Sequence, residues 1–135
     1  MDIISNRKGK ELYLVHEGYL FTKEREVENG RTFWKCTETG KNRKYCKVRV
    51  HCKEVQIIQV KGEHTHAPDA AEVDAKRAMA MLFEQASSTV ESTQLVLANT
   101  LSGLHSSAIA HLPTMANMKR TIQRVRTVSA GLLLI

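Results

Sequence analysis

Two cysteines and two histidines, Cys36, Cys46, His64 and His66, are the residues best suited to chemistry. Thiolate and imidazole are the donors zinc takes in structural sites, and four of them close a tetrahedral shell. A shell closed by protein leaves no position for water, so one zinc ion held this way is structural rather than catalytic. The His64-x-His66 spacing predicts extended backbone, because side chains at i and i+2 of a strand project to one side. On a helix the same pair points about 200° apart and cannot chelate. Cys36 is expected to end one strand and Cys46 to begin the next, with the loop 37–45 bringing the sulfurs together. No Cys-x-x-Cys knuckle and no His-x3–5-His helix is present, so the common finger spacings do not apply.

The competing reading makes the histidines an accidental pair beside Pro68 and the cysteines small buried hydrophobes. Two Cys and two His within about 30 residues of a small β module argue for the metal. Cys52 is the rival ligand. It shares its strand face with Val48 and Val50 and is read as core, while His51 alternates outward and His16 sits beside a turn.

The elements that must position these ligands differ between the two halves of the chain. Residues 1–66 contain no alanine, all three cysteines and six of the seven aromatics, whereas 67–135 contain all twelve alanines and both prolines. The first half reads as β. Asn29-Gly30 suits a type I′ turn joining Tyr19–Val27 to Arg31–Glu38. Cys46–Lys53 alternates apolar and polar for eight residues. Val55–Val60 is a further strand rich in β-branched residues, and Leu12–Val15 a candidate first one. A β module this small buries a modest core and benefits from a staple.

The second half reads as helix. Asp69, with Glu72 three residues on, opens a first helix whose stripe is Ala75, Met79, Leu82 and Ala86. A second spans Thr93–Leu101 and is closed by Gly103. A third follows Pro113-Thr114, with Met115, Met118, Ile122 and Val125 as a packing stripe and Lys119, Arg120, Arg124 and Arg126 around it. The expected architecture is α+β: a four- to five-stranded antiparallel zinc-stapled sheet over 9–66, then a helical extension over 67–135.

At these residues a resemblance emerges. The order Leu14, Gly18-Tyr19, Phe21, Trp34-x-Cys36, Cys46, His64-x-His66 resembles the FLYWCH zinc finger. Val48 departs from it, standing where many members carry a small residue before the Arg matched by Arg49. The resemblance implies a fold akin to WRKY- and GCM-type zinc domains; the WRKY-type relation implies the Tyr19–Arg25 strand as an element that could meet DNA, while the FLYWCH family also includes protein-interaction modules. The tail, from His64-Thr65-His66-Ala67-Pro68-Asp69 through Leu112-Pro113 to Arg124, resembles the segment joining FLYWCH domains to Mutator-like transposases. That likeness stops after Arg126 and implies no transposition chemistry here.

Charge points the same way. The chain carries a net +6, of which fourteen cations against nine carboxylates place +5 before residue 67. Lys23, Arg25, Lys35, Lys41, Arg43, Lys44, Lys47 and Arg49 surround the expected sheet and are the candidate phosphate and base contacts. Lysines and arginines also solubilise strands and guard sheet edges, and four interleaved glutamates dilute the potential. DNA and protein therefore both stay open as partners of the sheet, with a protein partner also open to the helical extension. No activated nucleophile with an orienting acid is evident, so an enzyme is not expected. The longest apolar run, Leu132–Ile135, is far short of a membrane span, and the N-terminus lacks a secretory h-region. A nuclear protein is the resulting expectation.

Overall fold

The computed structural model describes residues 1–6, 11–38 and 46–133. Six strands, β1 (Asp2–Asn6), β2 (Glu11–His16), β3 (Tyr19–Val27), β4 (Arg31–Cys36), β5 (Arg49–Lys53) and β6 (Gln56–Lys61), form one antiparallel sheet. They lie in sequence order, each beside the next. Four helices follow: α1 (Ala70–Ser88), α2 (Thr93–Leu101), the four-residue α3 (Ser106–Ile109) and α4 (Met115–Leu133).

The sheet therefore has one strand more than expected. β1 pairs with β2 from Asp2↔Val15 to Asn6↔Glu11. Its apolar dipeptide shows no alternation because both faces of the strand are covered. Ile3 joins the main sheet core, while Ile4 joins Leu20 and Val73 beneath α1.

Turn chemistry also differs from the expectation. Asn29 and Gly30 do take the left-handed conformation, with φ of 70° and 73°. They sit, however, in a three-residue turn with Glu28, between the paired Val27 and Arg31. The two-residue turn with positive φ at both positions lies instead at Glu17-Gly18, between His16 and Tyr19.

The Cys46–Lys53 alternation is visible in burial: Cys46, Val48, Val50 and Cys52 are buried and the residues between them are not. Ladder pairing begins only at Arg49. The buried set packs with Leu14, Phe21, Trp34 and Cys36, and both Ile3 from β1 and Ile57 from β6 reach the same cluster. The sheet thus curls around its own apolar face. Trp34 is on that face, two residues before Cys36, and Phe33 is on the other.

α1 closes part of the opposite face. Asp69 caps it, its carboxylate accepting from the Ala71 and Glu72 backbone N–H groups at 3.0 and 3.3 Å. Val73 packs on Ile4 and Leu20, Lys76 lies 4.8 Å from the Tyr13 ring centroid, and Arg77 pairs with Asp2. Leu82 and Ala86 then meet Val96, Leu97, Met118 and Ile122 in a separate helical core. The expected packing stripe of the last helix is thus real for Met118, Ile122 and Val125, while Met115 is exposed.

Candidate metal centre and sheet face

Cys36 closes β4 and Cys46 opens the segment leading into β5. Residues 39–45 of the loop between them, with Lys41, Arg43 and Lys44, lie outside the described residues. His64 and His66 lie in the connection from β6 to α1. That connection lies beyond the end of β6 and takes no part in the ladder. Gly62, at φ 90°, and the bends at 65 and 66 turn the chain out of β6 toward Pro68. The imidazoles still converge, with centroids 5.3 Å apart and planes 84° to each other.

Cys36 Sγ stands 3.2 Å from His66 Nε2, and Cys46 Sγ stands 3.3 Å from His64 Nδ1. All four donor atoms lie within 4.8 Å of one another. A zinc tetrahedron with bonds of about 2.0–2.3 Å has edges of roughly 3.3–3.8 Å, so the donor set fits the ion in type and number and its two thiol–imidazole edges already match, while pairs up to 4.8 Å apart must draw in by about an ångström. The two histidines present different nitrogens, which lets a short connection deliver both. The His66 Nδ1 lies 3.2 Å from the Ala67 carbonyl, the second hydrogen bond that metal-binding imidazoles commonly make.

The two ligand types are poised differently: His64 toward the neutral form that zinc takes, and Cys36 against the thiolate, so that metal binding must displace its proton. Burial, reinforced by the neighbouring Cys46, pushes the Cys36 thiol up to about 12. Burial and the adjacent His66 lower His64, which favours the neutral imidazole a metal requires. Cys52 is as buried as the two cysteine ligands but sits in the core opposite Thr32 and takes no part in the cluster.

Tyr19 organises both histidines, a role no spacing rule in the sequence assigns. Its ring stacks on His64, with centroids 3.4 Å apart and 2° between planes. It meets His66 edge-on at 5.2 Å, and its hydroxyl donates to the His66 carbonyl at 2.9 Å. Tyr19 is held by the turn before it. At Gly18 (φ 82°) an added Cβ would lie 2.9 Å from the Pro68 Cβ.

The candidate contact residues separate by register. A bulge at Glu24 shifts β3 so that Lys23 lies opposite Trp34 and Arg25 opposite Phe33. Arg25, Lys35 and Arg49 consequently share the outer face of the sheet, beyond the part covered by α1. Lys23 does not join them; its ammonium is 3.6 Å from Glu26. Lys47 is exposed beside Cys46. Arg49 opposes Lys61 and Arg31 opposes Lys53, so three further cations join this face. Counting the β5–β6 pairing outward from the Glu54-Val55 turn puts Val60 opposite Arg49; the register shift between His51 and Cys52 brings Lys61 there instead, and no sequence signal marks it. At the centre His51 meets Phe33 edge-on at 4.5 Å, and the Arg25 guanidinium lies 4.5 Å from the Phe33 centroid. Burial, then Lys61 and Arg25, lowers His51 below its ordinary value, which reports the positive potential here. One carboxylate intrudes, Glu24, accepting from Arg49 Nε at 3.2 Å.

A curled antiparallel sheet whose end is clamped by two thiolates and two imidazoles defines a zinc-finger binding module with a single structural Zn2+. Residues 3–66, just under half of the chain, match the FLYWCH zinc finger domain. Such domains are binding modules rather than enzymes. No curated protein matches the chain. No helix among the described residues is long and apolar enough to cross a membrane.

Proposed function

We propose that the protein is a zinc-dependent DNA-binding module acting in the nucleus. The observation that carries this reading is the outer face of β3–β6, where Arg25, Lys35, Arg49 and Lys61 surround the Phe33–His51 pair. Phosphate neutralisation supplies much of the affinity in such interfaces, and Arg and Lys also read base edges in the major groove. β3 itself is an interior strand, half covered by α1, so the contact element in this reading is the exposed face rather than the β3 edge. Zinc acts indirectly, by holding the sheet whose register aligns these cations. The tail's likeness to transposase-linked segments supports descent from a transposable element or kinship with its transcription-regulator relatives. Titration of the zinc-loaded chain with duplex DNA over a salt series tests the proposal. Binding should weaken steeply with salt and disappear on chelation.

One observation favours protein as the partner instead. The edge strand β6 and its turn expose apolar side chains, Val55 at 74% and Ile58 at 52%, which suits a protein contact. Binding to a protein that persists in high salt, with no duplex affinity, would establish that reading.

A further inference from the structure

The outward side of α4 is a charged surface that the sheet reading leaves unused. The helix runs for 19 residues without a carboxylate. Its apolar stripe, Met118 and Ile122 with Val125, is committed to the bundle core. Arg126 is committed as well. Its Nε donates to the Ala86 carbonyl at 3.2 Å and its guanidinium reaches the Thr89 carbonyl at 3.5 Å, at the C-terminal end of α1. A cation is favoured there by the helix dipole.

Lys119, Arg120 and Arg124 differ. All three are exposed, and none has an ion pair or hydrogen-bond partner among the described residues. At about 100° per residue, they and Gln123 spread over about 140° of the helix surface, centred opposite the apolar stripe. Arg120 and Arg124, four apart, are like charges whose repulsion within the helix no acid relieves. The other charges of the extension are mostly acidic, with five carboxylates against Lys76 and Arg77 over residues 67–118. Three of the six cations of this half are thus gathered on one face of one helix.

We propose that this face is a second contact for the phosphate backbone of duplex DNA. Between its cations lie Gln123, Ala116 and Thr127, and the exposed apolar side chains of the helix, Met115 and Val128, stand at its flanks rather than its centre. Protein interfaces place apolar and aromatic groups at their centre, whereas phosphate contacts need only positively charged and neutral donors. The surface matches the second description. It assigns the helical extension a positioning role on DNA, independent of base readout. The inference draws on the DNA reading above but stands on different residues.

The test uses the full zinc-loaded chain and a duplex of about three helical turns, with anisotropy read across salt concentrations. Replacing Lys119, Arg120 and Arg124 together by Gln should weaken binding at least tenfold at low salt. It should also reduce the slope of log K against log salt by up to about 2.7, at about 0.9 per phosphate. Circular dichroism should show the parent's helix content. Should the triple variant fold poorly, Arg120→Gln and Arg124→Gln singly should each reduce the slope by about 0.9. Parent-like affinity and slope in these variants overturn the α4 contact. In that case, loss of binding in Arg25→Gln/Lys35→Gln/Arg49→Gln would leave the sheet reading standing. Loss in the α4 variants alone would establish the helix contact and remove the sheet. A parent chain without duplex affinity overturns both. A changed sedimentation coefficient with unchanged DNA binding would make the face a self-interface and overturn the proposal.

Discussion

The Tyr19 and His64 rings lie parallel, 2° apart in plane with centroids separated by 3.4 Å, and the Tyr19 hydroxyl donates to the backbone of His66. One side chain from the start of β3 thus sets the orientation of both imidazoles that complete the metal shell. Groups that orient metal ligands typically contribute about 10–100-fold to metal affinity. We predict that Tyr19→Leu lowers zinc affinity in that range. Tyr19→Phe, which keeps the stack and loses one hydrogen bond, should lose about tenfold or less, since such a bond contributes ~0.5–1.5 kcal/mol. Competition against a chromophoric chelator measures both. Equal losses in the two variants would show that the stack contributes nothing.

The turn that delivers Tyr19 makes a second prediction. Gly18→Ala places a Cβ in a left-handed conformation and against Pro68. The backbone component alone costs about 1–2 kcal/mol, and the contact with Pro68 adds to it. Denaturant unfolding of the zinc-loaded chain should show a loss of at least about 1 kcal/mol. Gly103→Ala carries a similar positive φ but meets nothing within 4 Å, so it should cost less.

His51 reports on the basic sheet face. Its folded value lies below 6.5, through burial and then Lys61 and Arg25. The unfolded chain therefore binds this proton more readily than the folded one. The stability linked to His51 is fully present above 6.5 and is lost as pH falls from there through the lowered folded value. NMR titration of the ring should show the depression, and Lys61→Gln should raise the midpoint toward the ordinary value. Duplex DNA docked on this face should also raise it, because phosphates favour the imidazolium. No response to DNA would place the contact elsewhere.

The helical core yields a stability prediction. Leu82 is fully buried between α1, α2 and α4. Leu82→Ala should cost about 2–5 kcal/mol, as buried leucines do. Thermal unfolding followed at a helical wavelength measures this, and a loss well under 1 kcal/mol would show that the extension packs differently.

Much of the site was legible in the sequence because its signals are local. Donor types and spacing select Cys36, Cys46, His64 and His66, and strand parity assigns Cys52 and Trp34 to the core. The helix starts at Asp69 and Thr114 follow from capping chemistry that operates within one turn. Features set by long-range contacts were not legible. β1 lacks alternation because α1 covers its second face, a fact carried by Val73 and Arg77 some seventy residues away. The bulge at Glu24 reverses the parity of β3, so Lys23 and Arg25, counted together from sequence, separate in the fold. The path of the His64–His66 connection is likewise long-range: Gly62 turns it out of β6 toward α1, and the two imidazoles present different nitrogens to the cysteines.

The central claim is that one zinc ion is held by Cys36, Cys46, His64 and His66, with Cys52 a core residue. Metal content per chain, by native mass spectrometry of the purified parent and of the Cys52→Ala and Cys46→Ser variants, tests it most directly. One zinc is expected in the parent, one in Cys52→Ala and none in Cys46→Ser. A parent without zinc, or loss of zinc on Cys52→Ala with retention in Cys46→Ser, would contradict it.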